Sequence, residues 1–175
     1  MSTSLVSELE RLADILESDG AGAVEGSLPA VAEKIARELR VKADEVAILA
    51  VSHRRRHLHF LLPHVLKNVG FIPITSNSAL AARTARDSRP EINNNFSAVR
   101  HAAVFEGVKT ATGESIQKII SAPISFEEKV VGVMQISRKG GSLVSAGPDF
   151  TPEELGRVLA ICKPLGKLVS LMAGE

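Results

Sequence analysis

The stretch from Lys118 to Lys139 constrains the fold more than any other part of the sequence. Two runs rich in Ile, Val and Met flank a charged turn, Glu127-Glu128-Lys129, and this pattern predicts a β-hairpin. If Phe126 pairs with Val130, alternation makes one face apolar throughout, and that face carries Ile120, Ala122, Ile124, Phe126, Val130, Gly132, Met134 and Ile136. The opposite face is mixed and carries Ile119, Ser121, Pro123, Ser125, Val131, Val133, Gln135 and Ser137. This asymmetry predicts a sheet with helices on one side and a lined cavity on the other.

Composition narrows the class of protein. With 175 residues, of which 45% are hydrophobic, the chain is long enough to bury one substantial core. A net charge of +1 gives no electrostatic basis for binding nucleic acid or an anionic membrane, and no apolar run approaches the roughly 20 residues that span a bilayer. The N-terminus lacks the features of a signal peptide, and the single cysteine, Cys162, excludes an intrachain disulfide. We therefore expect a cytoplasmic protein.

Residues 1–26 are predicted to form a helix and a flexible joint, ahead of a domain that spans 27–175. Leucines recur at spacings of four, three and four, which is typical of one helix face, in the stripe Leu5, Leu9, Leu12 and Leu16. Such a stripe joins two chains in a helix pair or packs on its own domain, and both interpretations stay open. Three glycines then predict a joint without a packed element, namely Gly20, Gly22 and Gly26.

The other elements follow from periodicity and capping signals. Ser27 is predicted to cap a second helix. Thr151 is predicted to begin the last helix in a capping box with Glu154, in which each residue satisfies a backbone N–H of the other. Ser78 is predicted to cap a further helix that ends near Arg86. Strands are predicted at 45–52, 57–62 and 71–74.

Three stretches of the sequence resemble characteristic segments of GAF domains. They read SALAARTARDSRPEINN, TGESIQKIISAPI, and VVGVMQISRK followed by DFTPEEL, and the resemblance covers about 27–171. It implies an α+β, GAF/PAS-like (profilin-like) fold. In that fold a central antiparallel sheet carries the terminal helices on one face and a ligand-cavity crossover on the other. The cavity is expected between the sheet and residues 76–117.

The resemblance to cyclic-nucleotide-type GAF domains is partial. Lys139 and Phe150 match the Asn-Lys…Phe…Asp…Glu signature of that group, but Arg138 stands where it has Asn and Glu154 where it has Asp. Lys109 also replaces an acidic residue ahead of the Thr-Gly pair. The resemblance therefore identifies no cyclic-nucleotide ligand. A covalent bilin is not expected either, since Cys162 falls in the closing helix.

Polar residues around the expected cavity are the candidate ligand contacts. Ser76-Asn77-Ser78 precede a helix, whose N-terminal N–H groups bind anions, and simple capping by Ser78 is the alternative. Asn94-Asn95-Phe96 offer amides and a ring, or form a turn. Ser121 and Gln135 lie opposite each other and bond either to each other or to a ligand. The full candidate set is Ser76, Asn77, Ser78, Asn94, Asn95, Phe96, Arg100, Phe105, Thr112, Ser121 and Gln135.

Neither a metal site nor a catalytic site is predicted. His57 and His59 share a strand face, but two imidazoles without a nearby carboxylate or thiolate make a poor metal site, and the Arg54-Arg55-Arg56 turn between the strands reads as a solvated tip. The sequence contains no persuasive nucleophile, paired-carboxylate or phosphate-loop motif. GAF-type methionine sulfoxide reductases use several cysteines, and one cysteine does not form the resolving disulfide.

These observations predict a small-molecule-binding sensory module that signals to a separate, unidentified output protein. No cofactor, nucleic acid or membrane partner is expected, and the resemblance implies a homodimer through the terminal helices. The alternative is a homodimerising interaction module without a physiological ligand, for which the leucine stripe would supply the contact.

Overall fold

The computed structural model describes residues 3–20, 22–63, 70–96 and 115–173. Its strands form one antiparallel sheet in the order β3-β2-β1-β6-β5-β4. The strands are β1 (Val46–Ser52), β2 (His57–Leu62), β3 (Ile72–Pro73), β4 (Glu91–Asn93), β5 (Ser115–Phe126) and β6 (Lys129–Gly140).

Helices cover both faces of the sheet. They are α1 (Thr3–Asp19), α2 (Gly22–Glu25), α3 (Leu28–Leu39), α4 (Leu80–Asp87) and α5 (Pro152–Met172), with a short 3₁₀ turn at Ala43–Glu45. Side chains of α1, α3 and α5 form one large apolar core with one face of the sheet, and α4 packs on the other face. The predicted α+β architecture is thus confirmed.

Capping explains where the last helix begins. Thr151 precedes α5, its hydroxyl accepts the Glu154 N–H, and the Glu154 carboxylate accepts the Thr151 N–H in return, as predicted. Ser27 precedes α3, although its side chain makes no capping bond.

The hairpin register is predicted correctly along the body of the strands and wrongly at the tip. Ser121 pairs with Gln135 and Ile124 with Gly132, but Ser125 pairs with Val130, one position out of the predicted alignment. The reason is a two-residue turn at Glu127-Glu128 followed by a β-bulge. Because a one-residue shift reverses the side of the sheet that a side chain faces, Val131 joins the α1–α3–α5 core and Val130 packs with the α4 side.

The leucine stripe of α1 packs inside its own domain. Each of its four side chains is at most 6% exposed and belongs to the core shared with α3, α5 and the sheet. This finding decides between the two interpretations of the stripe, because a buried side chain is not available to a second chain. Moreover, α2 occupies part of the predicted joint and Val24 is fully buried, so the expectation of an unpacked segment there is wrong. The division at residue 26 stays a prediction.

None of the described helices combines the length and the hydropathy that crossing a membrane requires.

Candidate functional site

A chain of buried hydrogen bonds fastens α4 to the mixed face of the β5–β6 hairpin. Gln135 Nε2 donates to Ser121 Oγ at 3.3 Å, and Ser121 Oγ lies 2.7 Å from Thr84 Oγ1. Thr84 uses its only hydroxyl proton on the Leu80 carbonyl at 2.9 Å, so Ser121 must be the donor to Thr84. Of the two alternatives for Ser121 and Gln135, the bond to each other is therefore present. Both residues lie beneath α4, and a ligand reaches them only if α4 moves.

Small side chains let α4 approach the sheet closely. Three alanines, each at most 2% exposed, contact the sheet side chains of Leu49, Leu58, Phe60 and Val133 in one apolar cluster; they are Ala79, Ala81 and Ala82. This packing places the α4 backbone where a pocket above the hairpin would otherwise lie. Within the described part of the chain, α4 thus covers the centre of the mixed face.

The Ser76-Asn77-Ser78 segment does not form the predicted cap. The helix begins at Leu80, and it is Ser76 Oγ that accepts the Ala79 N–H at 3.2 Å. Ala79, not Ser78, is the residue that precedes the helix, and no described side chain caps it, so the prediction that Ser78 caps α4 is wrong. An anion-binding role for this segment stays a prediction.

The asparagines at the end of β4 form a local turn and bind the backbone of Phe150, just ahead of α5. Asn93 Oδ1 accepts the Asn95 N–H at 2.9 Å, which is the local side-chain turn that asparagine favours. Asn94 donates to the Phe150 carbonyl at 3.1 Å and accepts the Phe150 N–H at 2.8 Å, so a ligand would have to displace two bonds. Phe96 is 2% exposed and packs in a small apolar cluster. As ligand contacts these residues stay predictions.

Three further candidates, Arg100, Phe105 and Thr112, lie outside the described residues. So does the stretch 97–114, which forms part of the expected crossover.

Two buried cations at the far end of the hairpin hold the loop that precedes α5. Lys118 and Arg138 pair across β5 and β6. Lys118 Nζ donates to the Gly147 carbonyl at 2.6 Å and lies 2.8 Å from Asp149 Oδ1. Arg138 donates to the Pro148 carbonyl at 2.8 Å and to Glu154 at 3.0 Å. The two departures from the cyclic-nucleotide signature, Arg138 and Glu154, are therefore partners of each other.

Two clefts flank α4 on its side of the sheet. The first, here named the turn cleft, has a volume of about 240 Å³ and is lined by Val51, His53, Arg56, Ile74, Ala85 and Val130. The second, named the charged cleft, has a volume of about 320 Å³ and is lined by Arg83, Thr84, Asp87, Arg89, Pro90 and Glu91. On the other side of the sheet, a gap among α3, α5, β1 and β2 measures only about 10 Å³, which is about the space of one water.

The clefts differ in their chemistry. The charged cleft has two arginines and two carboxylates, and Arg83 already holds Glu91 through two hydrogen bonds of 3.0 and 2.9 Å. The turn cleft combines apolar side chains with His53 and Arg56, and none of its described lining residues carries a carboxylate. Sequence inspection missed the turn cleft because its residues come from four separate segments. The run of three arginines was its only visible signal.

Within the described residues, no group of three His, Cys, Asp or Glu side chains is placed to hold a metal ion. His57 and His59 do lie side by side, with ring centroids 6.0 Å apart. The His57 ring stacks on Phe71 at 4.1 Å, which gives it a packing role.

The cysteine thiol is remote from both clefts. Cys162 lies on the buried face of α5 and is 4% exposed. Desolvation raises the pKa of its thiol to about 12. Because the thiolate is the reactive form, this side chain is a poor nucleophile at neutral pH.

Comparison with known proteins identifies the fold. No family model and no curated protein matches the sequence. The structure is similar to the GAF domain of a phosphoenolpyruvate-protein phosphotransferase from Acinetobacter, with a TM-score of 0.67 and 16% identity over 100% of this chain and 99% of that chain. A segment of a methyl-accepting chemotaxis protein is similar with a TM-score of 0.65 and 13% identity, over 91% of this chain and 96% of that chain. A type II free methionine-R-sulfoxide reductase from Thermoplasma acidophilum is similar with a TM-score of 0.54 and 13% identity, over 83% of this chain and 94% of that chain. The chain has the GAF fold.

Proposed function

We propose that this protein is a small-molecule-binding regulatory module of the cytoplasm, which binds its ligand beside α4 and acts through a separate partner protein. One observation carries the proposal: among the described residues, two ligand-sized openings lie on the α4 side of the sheet, whereas the gap among α3, α5, β1 and β2 has room for about one water. Similar solved domains come from a phosphotransferase and a chemotaxis protein, which supports a regulatory role.

A route from the clefts to the terminal helices supports the regulatory part. Thr84 joins α4 to Ser121 of the hairpin, and the hairpin in turn packs against α5. At that contact, a Cβ placed on Gly132 would lie 2.8 Å from the Val169 side chain and 2.5 Å from the Leu49 carbonyl, so the layers have no slack. A ligand that prefers one position of α4 would therefore bias the packing of α5.

Thermal denaturation with nucleotides, amino acids and organic metabolites tests the proposal. A ligand at 100 times its Kd should add about 2.7 kcal/mol to the free energy of unfolding. Ala85→Phe fills the turn cleft and should abolish the stabilisation by a ligand bound there, whereas Arg89→Ala should weaken a ligand in the charged cleft. The matched control is Ala30→Phe, at an exposed position of α3. The proposal fails if no compound stabilises the protein, or if neither cleft variant alters the stabilisation.

A second candidate function is self-association without a ligand. The leucine stripe no longer supports it, but α5 exposes a different face with Gly156, Leu159 and Ala160 at helical spacing, and Leu159 is 39% exposed. Light scattering of Leu159→Glu tests this: a dimer that becomes a monomer favours the candidate, and an unchanged mass removes it.

Catalysis of the kind performed by free methionine-R-sulfoxide reductases, which share the fold, is the least favoured reading. That role would need a reactive thiol, and the one thiol of this chain is Cys162, buried and protonated.

A further inference from the structure

The floor of the turn cleft consists of apolar side chains, most of which are only partly covered by the rest of the protein. Val51 is 3% exposed and belongs to the cluster on the α4 side of the sheet. Three other floor residues, Ile74, Ala85 and Val130, pack against the same cluster but are only partly buried. An occupant with an apolar body would cover this surface and gain the usual burial free energy.

The rim of the turn cleft is basic. Arg54, Arg55 and Arg56 form the exposed turn between β1 and β2, and Arg86 follows Ala85 on α4. Among the described residues, none of these four arginines is ion-paired. Among the described residues, the acidic side chains within three positions of a lining residue are Asp87, Glu127 and Glu128. Basic residues thus outnumber acidic ones along the segments that form the opening, and the local potential favours an anion.

Backbone contacts fix the rim in position. His53 Nε2 lies 2.9 Å from the Val130 carbonyl, and since a carbonyl only accepts, the ring nitrogen donates across the cleft. The Arg56 carbonyl accepts the Ile74 N–H at 3.1 Å, and Arg56 itself has φ = 56°. Arg86 donates to the Ser76 carbonyl at 2.7 Å. These contacts hold the residues of the rim in place before a ligand arrives, and this lowers the cost of ordering the site on binding.

From this geometry we infer that the turn cleft binds a small organic acid, with the carboxylate at Arg56 and the apolar body on Val51, Ile74, Ala85 and Val130. The inference rests on the proposed ligand-binding function and assigns the chemical class of its ligand. A volume of about 240 Å³ is below the roughly 300–1,000 Å³ of drug-sized pockets, so the acid is a small metabolite rather than a nucleotide.

Calorimetric titration with matched compounds tests the inference on the full chain. The acids are butyrate, benzoate and phenylacetate, their uncharged counterparts are the corresponding amides, and inorganic phosphate is the anion without an apolar body. At least one acid should bind with a saturable isotherm, at least tenfold tighter than its amide, and more weakly as the salt concentration rises. Phosphate should bind at least tenfold more weakly than that acid.

Two arginine variants provide a matched comparison. Arg56→Asn removes the rim charge but keeps a residue that tolerates positive φ, and it should weaken the acid at least fivefold without changing the amide. Arg40→Asn is the control, since Arg40 is also exposed and also has φ = 56° at the far end of α3. Ala85→Phe should abolish binding of the acid.

The outcomes separate the two proposals. Amides that bind as tightly as acids and lose affinity in Ala85→Phe would overturn the acid assignment and leave the ligand-binding function standing. Acid binding that survives Ala85→Phe, or that Arg40→Asn weakens as much as Arg56→Asn, would also overturn the assignment. Phosphate binding as tight as acid binding would overturn the claim that the apolar floor of the cleft contributes to ligand binding. If acids and amides all fail to bind while another compound stabilises the protein, only the acid assignment falls.

Discussion

The Arg138 guanidinium lies 3.0 Å from the Glu154 carboxylate and joins the end of β6 to the first turn of α5. Arg138 also lies 4.1 Å above the Phe150 ring. Its side chain is 5% exposed and that of Glu154 is 15% exposed, so the pair sits largely out of water. Removing one partner of a buried pair leaves an uncompensated charge.

Glu154→Gln should therefore lower the free energy of unfolding by about 3 kcal/mol. Glutamine can still complete the capping box with Thr151, so the loss reports on the ion pair rather than on the cap. Urea denaturation measures it. The control is Glu153→Gln, which breaks the exposed Arg157 pair and should cost less than about 0.5 kcal/mol. Equal losses for the two variants would contradict a special role for the Arg138 pair.

The hydrogen-bond chain under α4 makes a second prediction. Ser121→Ala should cost about 1–2 kcal/mol, because Thr84 and Gln135 each lose a buried partner. Ser121→Ala combined with Thr84→Val should cost less than the sum of the single changes, since both remove the same contact. A double-mutant cycle by urea denaturation measures this coupling. The control is Ser125→Ala, at an exposed position of the same strand, which should change stability by less than about 0.5 kcal/mol. If the losses of the two single variants simply add, Ser121 and Thr84 are not coupled and the prediction is wrong.

The burial of the α1 stripe predicts the effect of a core truncation. Leu9 is 0% exposed, so Leu9→Ala should lower the free energy of unfolding by about 3 kcal/mol and leave the mass of the native protein unchanged. Denaturation and light scattering together measure this, with the exposed Glu10→Ala as control. A smaller mass with undiminished stability would show instead that the stripe joins two chains.

The sequence predicts the body of the hairpin because a strict alternation with one apolar face admits a single register. The tip escapes prediction since Glu127-Glu128 lacks the Asn-Gly chemistry that marks a two-residue turn. Only one of the two hydrogen bonds that link Gln135, Ser121 and Thr84 can be predicted from the sequence. The Ser121–Gln135 pair follows from strand parity, whereas Thr84 lies on a helix, 37 positions from Ser121 in the sequence.

Long-range contacts explain why the candidate site was harder to predict than the fold. His53 meets Val130 across 77 positions, and no local pattern encodes such a meeting. Likewise, Arg138 and Glu154 read separately as departures from a signature, and their partnership becomes visible only when β6 and α5 are placed together.

Burial of Cys162 predicts a stability change at high pH. Desolvation raises the pKa of the folded-state thiol from its ordinary value of 9.0 to about 12. Between these pH values the folded state keeps a proton that the unfolded state has lost, so the free energy of unfolding falls as pH rises above 9, by up to about 1.4 kcal/mol per pH unit. Below pH 9 the thiol adds no pH dependence. Urea denaturation from pH 8 to 10.5 should show this fall in the native sequence and a shallower one in Cys162→Ala, and parallel curves would refute the assignment.

The turn at the hairpin tip offers a stabilising change. Glu127 and Glu128 have φ values of 52° and 65°, a left-handed conformation that disfavours residues with a Cβ. Replacing the pair by Asn-Gly, which suits a turn with two positive φ values, should raise the free energy of unfolding by about 1 kcal/mol. Thermal and urea denaturation measure the gain. Lys129→Gly is the matched control, because Lys129 pairs with Phe126 within the ladder and glycine in a strand costs roughly 0.5–1 kcal/mol. The two glycine-bearing variants should therefore shift stability in opposite directions, and a loss in both would mean that the hairpin does not turn at Glu127-Glu128.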